Sequence, residues 1–279
     1  MAANGVKDFF PFLTQTAASN SAISHFLNFI LPDSPYIPTL HLKGLNSESI
    51  VINYPLVAVA AVAGFIVCLD GGRRLLRLTG TTHQFKGSFS WGMAMLSYAL
   101  MCFGGFWYHS INHGQFFYKV DVTGTACSSL SIVAGSLGLD DRIPANRRII
   151  GAMYLMATVG AFFGSQLTRE LLYLLPTAAA FLAGFGFCVK TVAVEFGGES
   201  RSEEGKEKTR KAEIGWYVAV AVFGAGSGFM GLVFSRWIME MIGPNFYPVF
   251  WFFFGCEVAL WGLFRLVVST NDVGFLVLK

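Results

Sequence analysis

The stretch FYPVFWFFFGCEVALWGLFRLVV, residues 246–268, is almost entirely apolar and contains only two charged residues, Glu257 and Arg265. A helix needs about 20 apolar residues to cross the roughly 30 Å hydrocarbon core of a bilayer. This stretch is long enough, and six further apolar runs precede it, at approximately 50–69, 89–108, 121–139, 149–167, 171–191 and 214–235. The pattern predicts an all-α, polytopic membrane protein with a bundle of seven transmembrane helices.

The composition of the chain supports a membrane protein. Of its 279 residues, 54% are hydrophobic and only 13% are charged, whereas about 25% of a soluble domain is charged. The net charge of +3 comes from scattered basic residues that form no basic face, which argues against a nucleic-acid partner. The expected partners are therefore membrane lipids and other membrane-protein subunits.

The basic residues predict the orientation of the bundle, because loops rich in Lys and Arg stay on the cytoplasmic side. Most of the 20 Lys and Arg residues fall between the first and second runs, the third and fourth, the fifth and sixth, or near the C-terminus. The opposite side holds only Lys7, Lys43, Lys119, Arg169 and Arg236. The N-terminus is therefore predicted outside or lumenal and the C-terminus cytoplasmic, in a plasma membrane or endomembrane.

The same pattern divides the chain into three parts. Residues 1–49 form an extramembrane segment, 50–268 the seven-helix domain and 269–279 a C-terminal tail. Within the first part, residues 22–31 are apolar but too short to cross the bilayer, which favours a helix lying in the interface. The alternative is a packed outer loop.

Polar residues at membrane depth are the first candidates for a functional site, because burying them in lipid is costly. His109 and His113 close the second run four residues apart, and Asp121 opens the third. Imidazole and carboxylate groups are common zinc ligands, so these three residues could hold a zinc ion. The alternatives are an interfacial belt for the histidines and a helix N-cap for Asp121.

Glu257 is a separate intramembrane candidate, near the middle of the last run. It has no basic partner close by in its own span, so we expect a neutral carboxyl or a hydrogen bond to a serine. The candidate serines are Ser128, Ser131 and Ser227.

Small residues within the runs predict close helix packing, because they let two backbones approach each other. Gly160 and Gly164 are spaced by four residues in the fourth run, and Gly224, Gly228 and Gly231 follow a similar spacing in the sixth. The concentration of glycine predicts that the sixth span lies at the centre of the bundle.

Residues 105–148 resemble the CREST-type seven-transmembrane superfamily, which includes alkaline ceramidases, adiponectin receptors and myomaker-like proteins. The resemblance rests on FWYHSINHGQFFYKVDVTGTACSSLSIVAGSLGL, residues 106–139. In that superfamily a Ser-x-x-x-His ends span two, an Asp opens span three and a His-x-x-x-His lies in span seven. His109 and Asp121 match this pattern, as do the number of runs and the predicted orientation.

The chain departs from the superfamily pattern at the metal site. Gly105 stands in place of the serine, and Trp251 and Gly255 stand where two metal-binding histidines belong. The resemblance therefore implies a zinc site without two of its ligands, and hydrolysis by metal-activated water would need those ligands.

Three functions follow from these observations. The favoured one is a non-catalytic or catalytically degenerate seven-helix scaffold that binds lipid or a membrane partner. The second is an accessory or structural subunit of a larger membrane complex, for which the 28 phenylalanines supply packing surface. The third is a metal-dependent lipid amide hydrolase whose site is rebuilt from His109, His113, Asp121 and Glu257.

Overall fold

The computed structural model describes residues 39–43, 49–111, 114–197, 204–243, 246 and 248–271. Within these ranges the chain forms an antiparallel hairpin followed by eight helices. The elements are β1 Thr39–Lys43, β2 Ser49–Asn53, α1 Pro55–Leu78, α2 Ser88–Gly105 with a π-helical continuation Phe106–Ile111, α3 Gln115–Ser136, α4 Pro144–Phe163, α5 Gln166–Gly197, α6 Glu204–Val233, α7 Ser235–Ile242 and α8 Pro248–Thr270. The predicted interfacial helix at 22–31, and the predicted tail beyond residue 271, lie outside the described residues.

Among the described residues, five helical segments are long and apolar enough to cross a membrane: α1, α2 with its continuation, α5, and most of α6 and of α8. The chain is thus a multi-pass helical membrane protein, as predicted. α3 falls outside this group because its several Ser and Thr residues lower its hydropathy. Most of these hydroxyl side chains are buried inside the bundle. α4 falls outside it because the helix ends at Phe163, which leaves only residues 149–163 as its apolar part.

The hairpin corrects the predicted start of the first span. Residues 50–53 belong to β2, which pairs with β1 from Ser49 opposite Lys43 to Asn53 opposite Thr39. The sequence SIVIN favours a strand because its β-branched residues suit an extended backbone. Pro55 then begins α1. Proline has no backbone N–H, but the N–H groups of the first helical turn have no partner within the helix, so proline is tolerated there.

The third helix also begins earlier than predicted. α3 starts after Gly114, so Asp121 lies in its second turn and is only 1% exposed. The aromatic residues before Asp121 continue the apolar surface of the helix toward its N-terminus. The expectation that Asp121 opens the span or caps the helix is therefore wrong.

The boundary between the fourth and fifth spans differs from the predicted ranges 149–167 and 171–191. Gly164 is extended, and the Ser165 hydroxyl accepts a hydrogen bond from the Thr168 N–H at 3.2 Å, as a helix N-cap does. α4 therefore ends and α5 begins several residues before the apolar pattern indicates.

Among the five candidate spans, α2 and α8 are the most buried, at 67% and 61% of their apolar segments against 33% for α6, and most residues of α3 are buried as well. The prediction that span six occupies the centre is therefore wrong. One face of α6 packs on α8, while Trp216, Phe223 and Phe229 are exposed elsewhere around the helix. A row of glycines provides one flat face for one neighbour, so it does not require burial on all sides.

Asp141, in the loop between α3 and α4, ties one end of the bundle together. Its buried carboxylate accepts hydrogen bonds from the N–H groups of Phe89 at 2.6 Å and Ser90 at 3.2 Å, and so caps α2. The neighbouring Asp140 instead forms two hydrogen bonds with Arg142, both 2.9 Å, which hold the pKa of Asp140 at about 2. The two loops rich in basic residues therefore meet at the same end of the bundle.

Candidate functional site

The last turn of α2 widens into the π-helical segment, which turns His109 and Ser110 into the bundle. Such segments occur frequently at functional sites. His109 Nε2 lies 3.6 Å from Asp121 Oδ2 on α3. The Thr125 hydroxyl donates to the Asp121 backbone carbonyl at 2.9 Å and lies 3.5 Å from the Asp121 carboxylate. The structure thus brings together two of the predicted site residues as a buried pair.

This pair forms because α2 and α3 cross very closely. A Cβ atom on Gly104 would lie 2.6 Å from the Asp121 backbone nitrogen. No side chain fits in that space, so glycine at position 104 allows the approach. The crossing holds the carboxylate of Asp121 against the imidazole of His109.

The side chains around this pair determine whether it can bind a metal ion. His113 lies outside the described residues. Among the residues that the structure describes, no group of three or more His, Cys, Asp or Glu side chains is placed to bind a metal ion. Zinc sites in proteins use three or four protein ligands, so His109 and Asp121 alone do not make one. Their separation of 3.6 Å suits a buried ion pair.

A second buried polar group near this end of the bundle escaped the sequence analysis. Gln166 Nε2 donates hydrogen bonds to Tyr118 Oη at 3.0 Å and to Glu170 Oε1 at 3.2 Å. Glu170 is only 2% exposed. It stands one residue before the predicted fifth span, where a carboxylate is normally solvated. The spacing of four residues between Gln166 and Glu170 is the one sequence signal that could have linked them.

The structure places Glu257 away from the expected serines. Ser128 donates to the Ala94 carbonyl, Ser131 contacts Tyr154 and Ser227 donates to the Gly224 carbonyl. Glu257 instead extends across α1 at Gly64, close to Cys102 of α2. Its Oε1 atom is buried and has no hydrogen-bond partner among the described residues.

Glu257 and His109 also lie at different depths. Glu257 is next to Cys102, which precedes His109 by seven residues along α2. Seven helical residues rise about 10 Å. A single reaction centre containing both side chains is therefore not formed.

An apolar cavity of about 360 Å³ opens between α5 and α6. Its inner wall includes the buried side chains of Tyr98 and Phe252, and its rim includes Leu182, Phe185 and Val222, which are exposed on the outside of the bundle. The volume falls within the roughly 300–1,000 Å³ typical of ligand pockets. Because its rim lies on two helices of membrane-spanning length, the cavity opens toward the outer surface of the bundle.

The few polar groups in the cavity wall already have partners. The hydroxyls of Thr125, Ser128 and Thr177 donate to backbone carbonyls at 2.9, 2.9 and 2.6 Å. A hydroxyl whose proton is already donated adds little polarity to a wall. Thr125 also contacts Asp121, so the cavity begins next to the buried pair.

The predicted packing glycines lie at helix contacts. Gly160 of α4 lies against Leu172, and Gly164, just after α4, lies against Thr168, both at the start of α5. Along α6, Gly224 lies against Ala259, Gly228 against Gly255 and Gly231 against Trp251, all on α8. These contacts hold the α6 wall of the cavity against the centre of the bundle.

Comparison of the chain with models of known families, with curated proteins and with solved structures finds no match. The resemblance to the CREST-type superfamily therefore stays a prediction.

Proposed function

We propose that this protein is a non-catalytic seven-helix membrane scaffold that binds a lipid, with an acyl chain in the cavity between α5 and α6. The proposal includes α3 and α4 as membrane-embedded helices that complete the bundle. It also places the N-terminus outside or in the lumen and the basic end of the bundle in the cytoplasm.

The cavity is the observation that carries this proposal. Its walls are almost wholly apolar, its hydroxyl groups are satisfied internally, and its rim opens sideways between two long apolar helices. A water-soluble ligand would gain few hydrogen bonds there, whereas an acyl chain would replace lipid contacts with protein contacts of similar polarity. Shape and packing would then decide the preference for a particular chain.

A binding role without catalysis is supported by the site beside the cavity. Hydrolysis of a lipid amide or ester by metal-activated water requires a bound metal with an open position. His109 and Asp121 supply two donors, and Glu257 lies at another depth. We infer that the pair stabilises the crossing of α2 and α3 next to the ligand.

The test is to fill the cavity and measure lipid capture. Ala225 of α6 lines the cavity, whereas Ala219 on the same helix is exposed and lies outside it. With a photoactivatable diacyl lipid in vesicles, we expect wild type and Ala219→Trp to crosslink equally and Ala225→Trp to crosslink several-fold less. Crosslinking of Ala225→Trp at the wild-type level would contradict the proposal.

A second candidate, an accessory subunit of a membrane complex, is favoured by exposed aromatic residues of α6. Trp216, Phe223 and Phe229 are each 64% exposed on this helix, and aromatic side chains are enriched in protein interfaces. Mild extraction followed by native mass spectrometry distinguishes the two functions, because a subunit retains a stoichiometric protein partner. Near-equimolar zinc that is lost in both His109→Ala and Asp121→Ala would instead favour the hydrolase.

A further inference from the structure

We propose that a second cavity, at the basic end of the bundle, binds the phosphate headgroup of an anionic phospholipid whose acyl chain occupies the cavity between α5 and α6. This inference rests on the proposed function and names its ligand class. The site is formed by the loop between α1 and α2 and by the ends of α3, α5 and α8 that lie beside it.

This headgroup cavity has a volume of about 250 Å³ and contains two lysines from different elements. Lys86 comes from the loop before α2, and Lys190 comes from α5. Neither lysine forms a salt bridge with any described residue. Both lysines are exposed, and two ammonium groups at one cavity attract an anion.

A hydroxyl group at the same cavity is available for hydrogen bonding. Ser136, at the end of α3, lines the cavity, and its Oγ atom is buried without a hydrogen-bond partner in the described part of the chain. A buried hydroxyl normally has a partner. A phosphate oxygen accepts hydrogen bonds from hydroxyl and ammonium groups alike, so a phosphate is an acceptor suited to Ser136 and to both lysines.

Two acidic residues near this cavity, Glu195 and Asp140, are paired with arginines, while the carboxylate of Asp141 accepts hydrogen bonds from Gln84 and from the start of α2. Glu195 lines the cavity, and its carboxylate lies 3.1 Å from the Arg210 guanidinium. Asp140, the acidic neighbour of Lys86, makes its two hydrogen bonds with Arg142. The local charge around the cavity therefore remains positive.

The headgroup cavity continues the apolar cavity along the same two helices. On α5 the apolar cavity reaches Cys188 and the headgroup cavity includes Lys190 and Thr191. On α8 the corresponding residues are Leu263 and Val267. Three or four helical residues rise about 5 Å, so the two cavities are neighbours along α5 and α8, and the proposal assigns one lipid to both.

The location of the headgroup cavity fits an anionic lipid. It lies among the loops rich in basic residues, which the charge pattern assigns to the cytoplasm. The cytoplasmic leaflet carries the anionic lipids, and basic pockets between transmembrane helices on that side bind their headgroups. A zwitterionic lipid gains less there because its own ammonium group would meet the two lysines.

The test measures the binding of dioleoyl phosphatidic acid and dioleoyl phosphatidylcholine to the full-length protein in detergent by native mass spectrometry. The pocket variant is Lys86→Gln with Lys190→Gln. The matched control is Arg148→Gln with Lys208→Gln, which removes the same charge from exposed positions outside the cavity. We expect the pocket variant to lose roughly tenfold or more in phosphatidic acid affinity, with the control and all phosphatidylcholine affinities unchanged.

Three results would overturn the inference. Equal losses in the pocket variant and the control would mean that the effect is long-range electrostatics. An unchanged phosphatidic acid affinity in the pocket variant would show that the two lysines do not bind the headgroup. Inorganic phosphate that competes with phosphatidic acid at similar concentration would make a free phosphate compound the ligand. In each case Ala225→Trp, measured with phosphatidylcholine, reports separately whether the acyl-chain proposal stands.

Discussion

At the scale of single residues, Asp141 stabilises the basic end of the bundle. Its carboxylate accepts the two N–H hydrogen bonds at the start of α2 and is fully buried. A buried N-cap also benefits from the positive end of the helix dipole. It connects two loops that lie about 50 residues apart in sequence.

We expect Asp141→Ala to lower the free energy of unfolding by about 1–3 kcal/mol, because two buried N–H groups lose their acceptor. The matched control is Asp140→Ala, which removes a partly exposed carboxylate paired only with Arg142. Exposed ion pairs contribute little, so this variant should unfold like wild type. Denaturation in mild detergent measures both, and equal effects of the two variants would contradict the capping role.

The His109–Asp121 pair is suited to a double-mutant cycle. Removing either side chain leaves a buried polar group without its main partner, so we expect His109→Ala and Asp121→Ala each to cost about 2–4 kcal/mol in unfolding free energy. The double variant should cost about 1–3 kcal/mol less than the sum of the two. Strictly additive losses would show that the two side chains do not interact at 3.6 Å.

At the scale of elements, the contact between α6 and α8 depends on a glycine face. A Cβ atom on Gly224 would lie 2.8 Å from both the Ala259 Cα and the Gly255 carbonyl oxygen. Backbone atoms cannot turn aside as a side chain can, so the helices would have to separate. A Cβ atom on Gly226, two residues later on the same helix, would have no neighbouring atom within 4 Å.

We therefore expect Gly224→Ala to lower the unfolding free energy by about 1–3 kcal/mol through overpacking. Gly226→Ala should be neutral or stabilising by up to about 1 kcal/mol, because alanine favours a helix more than glycine does. Thermal denaturation of the two variants in the same detergent makes the comparison. Similar destabilisation of both would indicate a general effect of side chains on α6 rather than contact with α8.

At the scale of the whole molecule, the two ends of the bundle differ in charge. At one end, Asp141 links the two loops rich in basic residues through hydrogen bonds from Gln84 and Phe89. At the other end, Arg169 donates to the Ala161 carbonyl at 2.8 Å and Lys119 lies 5.9 Å from the centre of the Phe162 ring. These two basic residues, from α5 and α3, thus both contact the end of α4.

Single cysteines can test the orientation of the protein and whether α3 spans the membrane, because the five native cysteines are free and at least half-buried. His83 and Ala145 are exposed at the basic end and Gln115 is exposed at the other. In intact cells an impermeant maleimide should label Gln115→Cys alone, and permeabilised cells should add His83→Cys and Ala145→Cys. Labelling of Ala145→Cys in intact cells would exclude the proposed seven-span topology.

Local pattern was enough to predict the helices, because burying an apolar run in lipid requires its backbone hydrogen bonds to be satisfied within one segment. The runs at 89–108 and 246–268 match α2 and α8 within a few residues. Boundaries were less accurate where a strand or a cap interrupts the apolar pattern, as at Ile50 and Gly164. Both interruptions depend on turn and cap geometry rather than on hydropathy.

The sequence by itself determined that this chain is a multi-pass helical membrane protein, because hydropathy and chain length act within each segment. Only the tertiary structure decided which polar groups meet: His109 with Asp121, Gln166 with Glu170 and Tyr118, and Asp141 with the start of α2. It also decided that α6 lies at the side and forms a cavity with α5. These features depend on contacts between distant segments, where packing geometry selects one arrangement among many that satisfy the same local pattern.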